Sequence, residues 1–183
     1  MFSTSAQRPF TDAYLLAYSD EHVFYEFDMF LWLAQVCGKG TKLGASKVAD
    51  TTRLNNVLIE AFAVHLRNVI DFLYLEKPRK NDVIAADFYV PGGWEVLRPA
   101  ISTTLESARG RANKEISHLT TGRITGSPPA KAWDFTALAE ELRPLMQLMA
   151  RQAVAGRLSL RVLVPLHVVS PIPSIDGQQS NTD

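Results

Sequence analysis

The sequence contains a single cysteine, Cys37. One cysteine excludes an intrachain disulfide and a cysteine-based metal cluster, and Cys37 lies in an apolar stretch where we expect it to be inert packing. No apolar run reaches the roughly 20 residues that span a bilayer, and Met1 to Phe10 lack the charged-then-apolar pattern of a signal peptide. We therefore expect a cytoplasmic protein with no membrane segment.

An excess of positive charge is also missing, because 19 Lys and Arg residues balance 19 Asp and Glu residues. A chain without net charge is not expected to coat nucleic acid non-specifically, since that function depends on many contacts between basic side chains and phosphates. The distribution is uneven: residues 10–37 carry five acids and no Lys or Arg, whereas residues 98–123 carry five bases against two acids. This pattern fits a helix pair with complementary solvated faces, or a local anion site in the second segment.

Three common catalytic or metal-binding patterns do not occur in the sequence. It has no glycine-rich phosphate loop before Lys-Ser/Thr, no Gly-x-Ser-x-Gly elbow and no zinc-finger spacing.

What the sequence does contain is apolar periodicity of the helical kind in four segments. The predicted main helices are 20–37, 51–75, 99–121 and a fourth that opens at Asp134 or Thr136, kinks or restarts at Pro144 and stops at Gly156. Shorter helical pieces are predicted at 12–17, 82–88 and 94–98, with Ser19 or Asp20 as an N-cap between the first two helices.

These elements predict an all-α fold, an antiparallel four-helix bundle with extra short helices. The bundle domain is expected to cover residues 1–156. Residues 157–183 are expected to form an extended or disordered C-terminal tail, although the β-branched stretch 158–169 would also suit an edge or swapped strand.

The string from Arg111 to His118 is the most suggestive of chemistry. Positions seven apart fall almost on one face of a helix. A permanently charged guanidinium and an imidazole that titrates near neutrality suit phosphate chemistry, because one holds an anion and the other moves a proton. Asn113 and Lys114 lie between them and are candidate substrate-binding residues.

A second polar group interrupts the apolar stripe of the second main helix. His65 lies on that stripe, and Arg67, Asn68 and Asp71 follow within two turns. One interpretation is a satisfied core histidine with solvated neighbours. The other is a polar patch facing the third helix, in which His65, Arg67 and Asn68 orient His118 or hold a phosphate.

A metal site in the bundle is a weaker hypothesis. His22 and Glu26 are four residues apart and, with His65, Asp71 and His118, would supply ligands. The Glu-x-x-His spacing of di-iron bundles is missing, so we predict no metal and read His22 and Glu26 as an exposed pair.

An Arg, six residues and a His on a late helix of a bundle resemble the HEPN domains (higher eukaryotes and prokaryotes nucleotide-binding). The second-helix string from His65 to Tyr74 also looks like uncharacterised bacterial proteins of this kind, and the resemblance covers about residues 20–150. It implies a metal-independent endoribonuclease without a cofactor. Arg111 would bind the scissile phosphate, and His118 would act as general base or acid while the 2′-hydroxyl attacks and a cyclic phosphate forms.

The same resemblance implies partners. HEPN domains usually pair so that two motifs face one cleft, which suggests a homodimer with RNA as substrate. Members often act as toxins or in phage defence, which suggests an antitoxin partner. The competing hypothesis is a non-catalytic HEPN-like dimeric module that binds a nucleotide, an RNA or a partner protein.

Overall fold

The computed structural model describes residues 10–39, 51–115 and 132–167, and every regular element in these ranges is helical. In chain order the helices are α1 (Asp12–Tyr18), α2 (Phe24–Gly38), α3 (Thr51–Tyr74), α4 (Gly93–Leu97), α5 (Thr103–Glu115), α6 (Phe135–Gln152) and α7 (Val164–His167). A π-helical turn lies at Ser19–Val23, and 3-10 turns lie at Ala85–Phe88 and Leu160–Leu163. The all-α class is confirmed, and none of the helices in the described ranges is long and apolar enough to cross a membrane.

The core is built from the apolar faces of the four longest helices. α2 packs on α3 and on α6, while α3 also packs on α5. Phe62 is fully buried in α3, and its ring meets those of Phe30, Phe135 and Trp133 at 5.7, 4.8 and 6.0 Å between centroids. The apolar periodicity therefore identified the buried faces, because spacings of three and four residues put side chains on one side of a helix.

α1 and α2 form one continuous helical rod, so the predicted N-cap at Ser19 or Asp20 is wrong. Ser19 has helical dihedrals of φ −70° and ψ −31° and is fully buried. Its Oγ donates to the carbonyl of Leu16 at 2.9 Å and accepts from the backbone N–H of Ser159 at 2.9 Å. Ser19 thus satisfies a distant backbone group instead of starting a helix.

The predicted ends of two later helices also need correction. α5 begins at Thr103, not near Pro99, because Ser102 caps it: Ser102 Oγ accepts from the backbone N–H of Leu105 at 3.0 Å. α6 continues through Pro144 and ends at Gln152, four residues before Gly156. Buried side chains on both sides of the proline hold α6 against the core (Leu142, Leu145 and Met146).

The predicted tail is partly wrong, because residues 157–167 fold back onto the helices. Val162 and Leu166 are buried in the core, in helical turns instead of the alternative strand. Arg157 ties the start of this segment to the fold by binding Asp12 at 2.8 Å and the carbonyl of Tyr89 at 2.7 Å. Residues 168–183 lie outside the described residues.

Candidate binding cleft

A polar cleft of about 610 Å³ lies between α2, α3, α5 and the segment that follows α3. It is lined by three of the predicted substrate-binding residues, Arg67, Asn68 and Asn113. Three more polar residues of the lining are Arg109, which the sequence did not single out, and Glu26 and Asp71, which were considered only as ligands of the unfavoured metal site. We refer to this cleft, with all of its lining residues, as the polar cleft.

The carboxylate of Asp71 holds two guanidiniums in the polar cleft. Arg109 Nε on α5 lies 2.5 Å from Asp71 Oδ1, and Arg67 Nε on α3 lies 3.4 Å from Asp71 Oδ2. Two permanent cations thus share one anion in this part of the cleft, and Glu26 adds a second carboxylate to the lining. Arg67 Nε is also buried without a hydrogen bond inside the described ranges, so the cleft contains an unsatisfied donor.

Asn113 faces the same cleft from α5. It is four residues from Arg109, so the two side chains share one face of the helix. Within the described part of the chain its half-buried amide has no hydrogen-bond partner. A side-chain amide offers two donors and an acceptor, which suits either a phosphate oxygen or a base edge.

His65 is tied to the edge of this cleft by Glu26. Its Nδ1 lies 2.8 Å from Glu26 Oε2, and Asn68 Nδ2 donates to Glu26 Oε1 at 3.2 Å. An ionised carboxylate only accepts, so Nδ1 carries the proton. His65 is 8% exposed and does not itself line the cleft. The structure therefore favours a satisfied, buried histidine whose orientation is fixed by a carboxylate.

Within the described residues, the expected pairing of His22 with Glu26 is replaced by a row of ring contacts, in which His22 is tilted against Tyr18. Glu26 binds His65, while the ring of His22 packs on Tyr18 at 4.7 Å between centroids. Tyr18 in turn stacks on Tyr14 at 6.0 Å, and Tyr14 stacks on Phe10 at 5.1 Å. Tyr18 and His22 line the polar cleft, so this aromatic row ends at its edge.

Tyr18 presents a neutral hydroxyl at neutral pH. Burial raises its pKa above the usual 10, and Tyr14, Glu26 and Asp82 raise it further. A neutral phenol can donate a hydrogen bond, which a phenolate cannot. The cleft edge therefore combines a hydrogen-bond donor with an aromatic face.

Arg111 lies on another side of α5. It is two residues from Arg109, about 200° around the helix, and it is not among the residues that line the cleft. Its guanidinium lies 4.1 Å above the Trp133 ring and donates to the carbonyl of Ala132 at 3.0 Å. His118 and the side chain of Lys114 lie outside the described residues, so the Arg111–His118 pair stays a prediction.

Arg109 is the site residue that sequence reasoning missed most clearly. The signal was present, since positions 109 and 113 are four apart and share a helix face, as do positions 67 and 71. The prediction centred on Arg111, which is one of two arginines in the same turn. Glu26 was assigned to His22 because a local pair is visible in a sequence and a partner 39 residues away is not.

The described residues contain no group of three or more His, Cys, Asp and Glu side chains that could hold a metal ion. In comparisons with known proteins, no family model, no curated protein and no solved structure matches this chain. Its function must therefore be inferred from the cleft itself.

Proposed function

We propose that this chain is a HEPN-like helical protein that binds single-stranded RNA in the polar cleft. The convergence of Arg67, Asn68 and Asn113 with Arg109 in one cleft is the observation that supports the proposal. Guanidiniums bind phosphates through several N–H groups, and amides read base edges. The charged side chains of the lining are four cations (Arg67, Lys77, Arg79 and Arg109) and three carboxylates (Glu26, Asp71 and Asp82), a small excess that favours an anionic ligand.

The aromatic row beside the cleft supports RNA over a simple phosphate. Unstacked bases of single-stranded RNA pack on aromatic side chains, and such stacking tolerates different sequences. Tyr18 and His22 bring this row to the cleft edge, close to the carboxylate of Glu26. We propose that one base packs against these rings while the adjoining phosphate lies near Arg67 and Arg109.

The proposal includes a HEPN-like four-helix bundle and a homodimer. The packing of α2 on α3 and α6, and of α3 on α5, supports a bundle of these helices. A cytoplasmic location, expected from the single cysteine, and an antitoxin partner, implied by the HEPN resemblance, belong to the same proposal.

A second candidate function is metal-independent cleavage of that RNA by Arg111 and His118. It is favoured by the fixed position of Arg111, whose guanidinium packs on Trp133 and binds the carbonyl of Ala132. A pre-positioned guanidinium stabilises charge that develops on a phosphate without first having to be ordered. His118 would then take the proton of the attacking 2′-hydroxyl.

One experiment separates the two functions. Fluorescence anisotropy with a labelled single-stranded RNA, in EDTA, measures binding, and gel electrophoresis of the same mixtures measures cleavage. Asn113→Ala should weaken binding about three- to tenfold, the equivalent of one hydrogen bond. The exposed Gln152 on α6 lies outside the cleft, so Gln152→Ala, which also replaces a neutral amide with Ala, is the matched control and should change little.

The outcomes are distinct. Binding without cleavage supports the non-catalytic module, whereas cleavage that is lost in His118→Ala supports the nuclease. Binding that is equal in the native protein and in Asn113→Ala contradicts the proposed cleft.

A further inference from the structure

A second cavity of about 760 Å³ lies at the C-terminal end of α3, beside the 3-10 turn Ala85–Phe88 and α4. Its walls carry four aromatic side chains, those of Phe10, Phe72, Tyr89 and Trp94. The volume falls within the range of small-molecule sites, which are mostly apolar with a few fixed polar groups. The RNA binding proposed for the polar cleft does not involve this cavity.

The aromatic walls are fixed before any ligand arrives. Trp94 is 2% exposed and its Nε1 donates to the carbonyl of Leu73 at 2.8 Å. Tyr89 is 5% exposed and its hydroxyl donates to the carbonyl of Met149 at 2.7 Å. The centroids of the Tyr89 and Trp94 rings lie 5.4 Å apart. Walls that are already ordered lose little conformational freedom on binding, which favours affinity for a ligand of matching shape.

A fixed cation lies in the same wall. Arg98 is half-buried, donates from Nη1 to the carbonyl of Leu73 at 3.0 Å and lies 4.9 Å above the ring of Tyr74. Over the described ranges of the chain, no carboxylate pairs with it. Arg157, the other half-buried arginine of the lining, is already paired with Asp12.

Two of the three acids that line the cavity lie in solvent. Glu76 and Glu95 are exposed to water, where their fields are screened. Asp87 accepts the backbone N–H of Ile84 at 2.9 Å. The half-buried wall therefore offers Arg98 as a cation, while Glu76 and Glu95 lie in solvent and the half-buried Asp87 carboxylate is held by a backbone hydrogen bond.

We propose that this cavity binds a small amphipathic anion, with its apolar body against Phe10 and Phe72, which are backed by the buried rings of Trp94 and Tyr89, and with its carboxylate on Arg98. An aliphatic or aromatic monocarboxylate satisfies both halves of the site. A neutral molecule of the same shape fills the apolar half and leaves Arg98 without its counter-charge. The site is separate from the polar cleft, so it does not depend on RNA binding.

Decanoate and decanol form a matched pair of probes, since they share an apolar chain and differ in charge. Their binding is measured by displacement of the fluorescent dye 8-anilinonaphthalene-1-sulfonate from the folded, full-length protein. We expect decanoate to bind with one-to-one stoichiometry and decanol to bind at least tenfold more weakly. Arg98→Gln should remove this difference, Arg98→Lys should keep most of it, and Arg151→Gln should leave it unchanged.

Equal affinity for the two probes in the native protein overturns the proposal, as does an unchanged preference for decanoate in Arg98→Gln. Should Arg98→Gln fail to fold, Ala86→Leu provides the second variant, because Ala86 lines the cavity and a larger side chain reduces its volume. Both probes should then bind at least fivefold more weakly than to the native protein. Unchanged affinity in Ala86→Leu places the probes elsewhere and refutes the site.

Discussion

Replacing Arg109 with Ala tests the ion pair that joins α5 to α3 inside the polar cleft. The contact between Arg109 Nε and Asp71 Oδ1 is 2.5 Å, and the two side chains are only 31% and 24% exposed. A hydrogen bond to a charged group contributes about 1.5–3 kcal/mol, whereas an exposed ion pair contributes about 0.2–1 kcal/mol. Because this pair is partly exposed, we expect a coupling free energy of about 1–2 kcal/mol.

Arg67 supplies the internal comparison, since it pairs with the same carboxylate. Its contact is longer, at 3.4 Å, and its side chain is 41% exposed. It also lies four residues from Asp71 on one helix, a class of pair that contributes about 0.3–0.5 kcal/mol. The coupling of Asp71 to Arg109 should therefore exceed its coupling to Arg67 by at least twofold.

Two double-mutant cycles measure these values. Urea unfolding, followed by far-UV circular dichroism, gives the free energy of unfolding for the native protein, the three single Ala variants and the two double variants. A coupling of Asp71 to Arg109 no larger than that to Arg67 would show that the short contact does not hold α5 on α3, and the reasoning about the cleft would fail with it.

Three further predictions concern parts of the fold outside the cleft. Tyr89→Phe should lower the free energy of unfolding by about 1 kcal/mol at neutral pH, by losing the bond to the Met149 carbonyl. Burial raises the pKa of Tyr89 to about 12 in the folded protein, so this contribution is full below pH 10 and declines as pH rises towards 12. A difference in unfolding free energy between the native protein and Tyr89→Phe that stays constant over that window contradicts the assignment. Leu166→Ala should lower the free energy of unfolding by about 2–5 kcal/mol, since Leu166 is buried. An unchanged free energy in urea unfolding would show that residues 157–167 do not pack on the core. Burial raises the pKa of the Cys37 thiol, so Ellman's reagent should react with the folded protein more slowly than with the urea-unfolded chain, and equal rates would count against a packed Cys37.

The main helices were predictable because each buries one continuous apolar stripe. Phe62, Leu66 and Leu73 of α3 recur at spacings of four and seven, and all three are buried. This pattern depends only on helix geometry, so local sequence suffices to find it. The same spacing existed at Val162 and Leu166, four residues apart, but the segment was predicted to be an extended tail, with an edge or swapped strand as the alternative because of its β-branched composition.

Ser19 shows how a long-range contact defeats a local rule. A serine followed by Asp20 and Glu21 is typical of a helix start. The hydroxyl instead receives the backbone N–H of Ser159, 140 residues away. The helix runs on through a π-helical turn, and no local pattern could report that partner.

Local sequence predicted part of the candidate site, and long-range contacts supply the rest. His65, Arg67 and Asn68 stood out because polar residues crowded an apolar stripe. Glu26, the partner of His65 and Asn68, lies on α2, and Arg109, the partner of Asp71, lies on α5, so only the packing of α2 and α5 on α3 brings them together. The surroundings of His118 stay a prediction, so the nuclease hypothesis still depends on the Arg-x6-His motif.

The claim that the polar cleft binds RNA is tested most directly by nuclear magnetic resonance of the asparagine side-chain amides. A ¹⁵N-labelled sample is titrated with a short single-stranded RNA, and Asn113→Ala assigns the relevant signal. The Asn113 amide, which has no hydrogen-bond partner within the described ranges, should shift progressively and saturate with the RNA. An Asn113 signal that stays in place while the RNA binds would contradict the claim and move the interface elsewhere on the protein.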